Sequence, residues 1–190
     1  TLSRASGKIT VPMSRPSATS PGGCIKSRCR SNSASRTAGI AATVDAPRPP
    51  SFDEADVGDK PRNIRRIGRY SQAQITALDN EYRAGLRALQ AVDEMIEKVV
   101  KALTDQGELD NTAIVFLSDN GTSFGPHRFW DKTAPYAESL DIPLYMRVPG
   151  GPKGVTLPHL VANLDLAATI VDWARLQTPD AIEGRSLAPL

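Results

Sequence analysis

Residues 113–133 read AIVFLSDNGTSFGPHRFWDKT, and the first half of that stretch decides how the chain is to be understood. Ala113 to Leu117 is an apolar, β-branched run, the pattern of a buried strand. It stops at Ser118-Asp119-Asn120-Gly121, so the strand delivers a carboxylate and an amide to its carboxyl end, where α/β sheets place their ligand sites. His127 and Lys132 follow within a dozen residues. One short segment therefore offers two hard oxygen donors, an imidazole and an ammonium, a set suited to a cation and an anion together. The competing reading is a simple turn, because Asp and Asn bond their own backbone and Gly supplies positive φ.

Working outward, Ser71 to Gln74 has capping-box spacing and opens the strongest periodic stretch of the chain. Ile75, Leu78, Tyr82, Leu86, Leu89, Val92, Ile96, Val99 and Leu103 recur at intervals of three and four. This predicts an amphipathic helix of about 30 residues, ended by Gly107, whose apolar face covers a sheet and takes Tyr82 and Met95 into the core. On the other side, Ile142 to Val148 predicts a second strand and Leu160 to Leu176 a second helix with Leu164, Ala167, Ala168, Val171 and Ala174 on one face. The order helix, strand, loop, strand, helix marks an α/β protein. Residues 48–70, with Pro49, Pro50 and Pro61, predict an irregular connection, and Arg62, Arg65, Arg66 and Arg69 within it form a candidate anion patch.

The net charge of +2 conceals a division. Residues 1–47 carry seven Lys or Arg and one acid, giving +6, and the remainder carries 16 basic and 20 acidic residues, giving −4. The first aromatic residue is Phe52, and nine serines fall in the leading segment, so residues 1–47 are expected to be disordered and to pack on nothing. Transit peptide, solvated basic tail and non-homologous sequence from a wrong start or frame all fit that composition. No run approaches the roughly 20 apolar residues of a membrane helix, and no apolar h-region of a signal peptide is present. Localisation stays open. Cys24 and Cys29 lie too close together to report a redox compartment.

The stretch SDNGTSFGPHRFWDKTAPYAESLDIPLYMRVPG, residues 118–150, resembles the segment of sulfatases that reads S-D-N-G, G-x-H-R, a Lys, T-P-Y-E and V-P-L-x-x-R-x-P-G. PSFDEADVGDKPRNIR (50–65) is similar to a segment of N-acetylglucosamine-6-sulfatase-like and arylsulfatase-like enzymes, as are LPHLVANLDLAATIVDWA (157–174) and IEGRSLAPL (182–190). The likeness covers residues 48–190, with Ser123 where many members carry His and Ala168 where Pro is usual. It implies the later part of a catalytic domain of alkaline-phosphatase-like fold, preceded by the 1–47 segment.

The resemblance further implies that Asp119 and Asn120 bind a divalent cation, Ca²⁺ or Mg²⁺, and that Lys132 contacts the sulfate, with His127 beside it at the substrate. The substrate class is a sulfated sugar or aryl sulfate, with no specific nucleic-acid partner. Family members use a formylglycine made from the Cys of a C-x-P-S-R motif. Cys24-Ile25-Lys26-Ser27-Arg28 matches that motif only in part and lacks the Pro. The expectation is a truncated sulfatase without activity of its own. Two alternatives are a phosphatase or phosphodiesterase of the related fold, which would be expected to need more than the two histidines present, and a non-catalytic remnant.

Overall fold

The computed structural model describes residues 9–10 and 43–190. The rest of the leading segment, Cys24 to Arg28 included, lies outside the described residues. The chain forms two compact units. Among described residues one comprises 9–10, 110–123 and 131–190, and the other 43–109 and 124–130. The four-stranded sheet lies in the first unit and the long helix in the second.

In the first unit a four-stranded sheet has the order β2-β5-β1-β6. Its strands are β1 (Ile9–Thr10), β2 (Ile114–Leu117), β5 (Leu144–Arg147) and β6 (Thr156–Leu157). Strand β2 runs antiparallel to β5, with Ile114 opposite Arg147 and Leu117 opposite Leu144. Strand β1 pairs parallel with β5 through Ile9 and Leu144, and antiparallel with β6. The expected strand at 113–117 is present but half-buried rather than buried. The sheet order explains this, because among the described residues β2 is an edge strand with one flank paired.

Strand β5 shows the period of two that a one-sided sheet requires: Leu144 and Met146 are buried and Tyr145 is exposed. Pro143 stands just before the strand, where its missing N–H is harmless. Leu144, Met146, Val161 and Leu187 form the core of this unit, with Val115, Leu117, Val148, Leu157, Leu166 and Trp173 packed against it. Arg147 is tied to the opening of β2, donating to the Thr112 carbonyl at 3.2 Å and to Asp110 Oδ1 at 2.8 Å.

The carboxyl-terminal helix, Asp165–Trp173, is shorter than the expected 160–176. Asp165 sets its start. One carboxylate oxygen accepts from Ala162 N–H at 2.8 Å and the other from Arg185 N–H at 2.9 Å. The face that faces inward carries Ala168 and Thr169, whereas Ala167 is exposed. Thr169 Oγ1 accepts from Leu187 N–H at 2.9 Å and Asp172 accepts from the Ser186 hydroxyl, so the Gly184-Arg185-Ser186-Leu187 ending is held to the helix by the side chains of Asp165, Thr169 and Asp172. A two-stranded ladder joins β3 (Ser123–Phe124) to β4 (Trp130–Asp131), and one turn of helix spans Ala137–Leu140.

The second unit is built on a 34-residue helix, Gln72–Asp105, with the capping box fully formed at Ser71 and Gln74. Gly107 ends it at φ 73, and Glu108 N–H closes onto the Leu103 carbonyl at 2.9 Å. The expected apolar face is largely exposed. Among described residues only Leu78 and Asp79 of the helix are buried, and Leu89, Met95 and Val99 are 52%, 54% and 48% exposed. Met95 is therefore not a core residue, and Tyr82 is half-buried, edge-on to Phe124 at 5.2 Å. Periodicity reports which face could be covered, not what covers it.

The leading segment also departs from expectation at its end. Ala46 is buried, and its N–H donates to Asp79 Oδ1 at 3.0 Å. Arg48 Nη2 donates to the same oxygen at 2.5 Å and its guanidinium lies 4.1 Å over the Phe52 ring. Arg83 bonds Asp45 and the Val44 carbonyl. Residues 44–48 thus dock by charge and backbone hydrogen bonds, a route that a count of aromatic side chains cannot see. Strand β1, at Ile9–Thr10, is a second place where the leading segment enters the fold.

Candidate functional site

The turn after β2 is fixed by contacts of its own unit. Asp119 Oδ1 accepts from Asn120 N–H at 2.9 Å, and Asn120 Nδ2 donates to the Gly121 carbonyl at 2.9 Å. Ser118 Oγ donates to the Asn120 carbonyl at 2.8 Å, and Asn163 Nδ2 donates to the Asp119 carbonyl at 3.2 Å. Gly121 N–H donates to the Ser139 carbonyl at 3.0 Å. A Cβ on Gly121 would sit 2.1 Å from the Glu138 carbonyl oxygen. Gly121 is not among the residues with positive φ. The glycine is there for close approach of two backbones rather than for a positive φ, while Asp119 and Asn120 bond their own backbone as the simple-turn reading expects.

Asp119 is exposed and Asn120 half-buried. With its amide nitrogen committed to Gly121, Asn120 keeps Oδ1 as the atom able to meet a cation, and Asp119 keeps Oδ2. These are hard oxygen donors of the kind Ca²⁺ and Mg²⁺ take, yet a calcium site uses six to eight oxygens. No group of three or more His, Cys, Asp or Glu that could hold a metal occurs among the described residues. In type the two residues would fit such a cation, as two of its ligands. Lys132, just after β4, is exposed, and its ammonium makes no ion pair among the described residues. Ser123, at the position where many sulfatases carry His, is fully buried, with its hydroxyl lacking a hydrogen-bond partner among the described residues.

His127 and Arg128 belong to the second unit. Both are in the left-handed region, at φ 55 and 60, a costly backbone for non-glycine residues. The strap of residues 51–55 holds them there. His127 N–H donates to the Ser51 carbonyl at 2.7 Å, and Nδ1 lies 2.9 Å from Glu54 Oε1. Arg128 donates from Nε to the Glu54 carbonyl at 2.9 Å, from Nη1 to Ile67 at 3.1 Å and from Nη2 to Ala55 at 2.6 Å. Asp53 N–H donates to the Gly125 carbonyl at 2.9 Å. Arg128 is thereby a structural clamp. Glu54 and Asn163 are the residues sequence reasoning passed over. Both stand in segments whose likeness to sulfatases was visible, and what hid them was that their partners are 73 and 44 residues away.

Comparison with known proteins places the chain in a family. The family model described as Sulfatase matches residues 29–176, and the chain belongs to the sulfatase family. The match begins 19 residues before the first residue of the likeness noted at 48. An N-acetylglucosamine-6-O-sulfatase of Bacteroides thetaiotaomicron is 41% identical over 106 residues, which is 55% of this chain and 19% of that protein. A solved structure in complex with D-glucosamine-2-N,6-O-disulfate is 35% identical with a TM-score of 0.54, covering 63% of this chain and 25% of that one. A phosphonate monoester hydrolase of Silicibacter pomeroyi is 29% identical with a TM-score of 0.56, covering 67% of this chain and 24% of that one. The fold is alkaline-phosphatase-like, as expected. The chain spans about a fifth or less of the length of the first curated relatives it matches.

Proposed function

We propose that this chain is the later portion of a sulfatase catalytic domain acting on sulfated sugars, contributing part of the cation site and the sulfate-contacting ammonium. The observation that carries the reading is the Asp119-Asn120-Gly121 turn, locked by Gly121 against Ser139 and by Asn163 against Asp119, in a chain of the sulfatase family. Asp119 and Asn120 would hold Ca²⁺ or Mg²⁺, which supplies Lewis-acid neutralisation of the ester oxygens when bound. Lys132 would place a compact positive charge against the sulfate, and His127 would stand beside the substrate, oriented by Glu54.

The nucleophile is absent from these 190 residues, which contain no C-x-P-S-R motif. One ammonium and a partial cation site leave attack on sulfur to water, whereas enzymatic rate enhancements begin near about 10⁶-fold. The chain alone is therefore inactive in this reading. Calorimetric titration with calcium should show no site tighter than the millimolar range, and an aryl sulfate should not turn over. Micromolar calcium binding abolished by Asp119→Ala, or sulfatase activity dependent on Cys24, would overturn the reading. Likeness to a phosphonate monoester hydrolase favours one alternative, hydrolysis of a phosphorus ester on the same fold. Joined to an upstream segment that carries a matured nucleophile, preference for an aryl phosphate over an aryl sulfate would establish that alternative.

A further inference from the structure

Residues 62–69 carry four arginines and no acid. Arg69 is engaged, its Nε donating to Asp53 Oδ2 at 2.8 Å. Arg62, Arg65 and Arg66 are exposed and make no ion pair among the described residues. Of the other arginines of this unit, Arg48 meets Asp79, Arg83 meets Asp45 and Arg128 clamps three carbonyls, while Arg87, on the long helix, makes no ion pair among the described residues.

The acids close by in sequence do not neutralise the three. Asp53 is taken by Arg69, Glu54 by His127 and Lys60, and Asp59 by Lys60. Asp56 Oδ1 accepts from Gly58 N–H at 2.8 Å. Arg62 and Arg65 occupy the ends of a one-turn helix, Arg62–Arg65, with Ile64 between them 1% exposed. Ile64 anchors the turn, so the guanidiniums are displayed on fixed backbone.

Like charges three residues apart on a helix repel, so this grouping is electrostatically unfavourable to the fold. It suits a polyanion instead. The guanidinium fork matches the oxygens of a sulfate group and holds its charge at any physiological pH. Arg128 also ties the Ile67 carbonyl to the loop that carries His127 and leads in sequence to Lys132. We propose that Arg62, Arg65 and Arg66 form an exosite that binds flanking sulfate groups of a sulfated sugar chain, apart from the ester that is cleaved. The inference rests on the sulfatase reading above and extends it from a single sulfated sugar to an oligosaccharide.

The test measures binding of a heparin-derived hexasaccharide to the full chain across a salt series. The triple variant R62Q/R65Q/R66Q is compared with R28Q/R30Q/R36Q, which removes equal charge from the basic leading segment. The exosite predicts that the first variant binds about tenfold more weakly at 0.1 M salt, and that its slope of log affinity against log salt is shallower by about 2, near 0.7 for each neutralised anion. The second variant should lose less than half as much. Equal losses in the two variants, or no loss in the first, would overturn the proposal. So would an equal loss of oligothymidylate binding, which would mark a nucleic-acid surface. Failure of the underlying reading has a separate signature: glucosamine 6-sulfate binding that is indifferent to Lys132→Ala.

Discussion

Nδ1 of His127 lies 2.9 Å from Oε1 of Glu54, joining the loop before Lys132 to a strap 73 residues earlier. Together with the Arg128 clamp, this contact keeps two successive residues in left-handed backbone. Arg128→Ala should cost about 2 kcal/mol in denaturant unfolding, because it leaves three carbonyls without a charged donor. Glu54→Ala should cost about 1 kcal/mol. Arg128→Lys should recover little of the loss, since one ammonium cannot span the Glu54, Ala55 and Ile67 carbonyls in a fork. Equal stability of the Lys and native proteins would show that charge alone, not the clamp geometry, matters.

Two of the contacts that dock residues 44–48 converge on one carboxylate. Asp79, 8% exposed, accepts from both Ala46 N–H and Arg48. Asp79→Ala should strip the Ala46 amide of protection in hydrogen exchange while leaving the helix amides around position 90 unchanged, because local opening follows local contacts. Retained protection at Ala46 would mean that apolar packing, not this carboxylate, holds the segment.

What the sequence revealed and what it hid divide along physical lines. The capping box at Ser71 and the left-handed stop at Gly107 are local chemistry, and both ends of the long helix were legible from them. The sulfatase family was legible because its anchors, Asp119, Asn120 and Lys132 among them, lie in order along one stretch. The fate of Leu89, Met95 and Val99 was not legible, since a periodic face is the same string whether covered or bare. Nor was the role of Arg128. Its three acceptors are main-chain oxygens, which every residue type carries and no sequence marks.

Tyr70 gives a prediction in alkali. Its hydroxyl is buried without a hydrogen-bond partner among the described residues, and burial, reinforced by the Asp53 carboxylate, pushes its pKa up from 10.0 to about 12. The neutral phenol is favoured in the folded state, so this stability is complete below pH 10 and is lost as pH rises toward 12. Ultraviolet titration should show one tyrosine ionising about two units late. Tyr70→Phe should remove that step and flatten the fall in stability between pH 10 and 12. A fall of the same size in the variant would place its cause elsewhere.

Gly121 and Gly85 make opposite predictions for the same substitution. At Gly121 a Cβ would meet the Glu138 carbonyl oxygen at 2.1 Å and the Asp141 carbonyl oxygen at 3.1 Å, and both are backbone atoms that cannot rotate away. Gly121→Ala should therefore destabilise by about 3 kcal/mol, the upper range for overpacking, by forcing the Asp119-Asn120 turn off the Ala137–Leu140 helix. At Gly85, in the interior of the long helix, a Cβ meets nothing within 4 Å, and its φ is ordinary. Gly85→Ala should stabilise by about 0.5 to 1 kcal/mol through lower backbone entropy in the unfolded chain. Thermal unfolding of the two variants checks both signs at once. A neutral Gly121→Ala would mean that the turn can move without cost, and with it the oxygens assigned to the cation. The rigid placement of Asp119 and Asn120 on which the sulfatase reading relies would then fail.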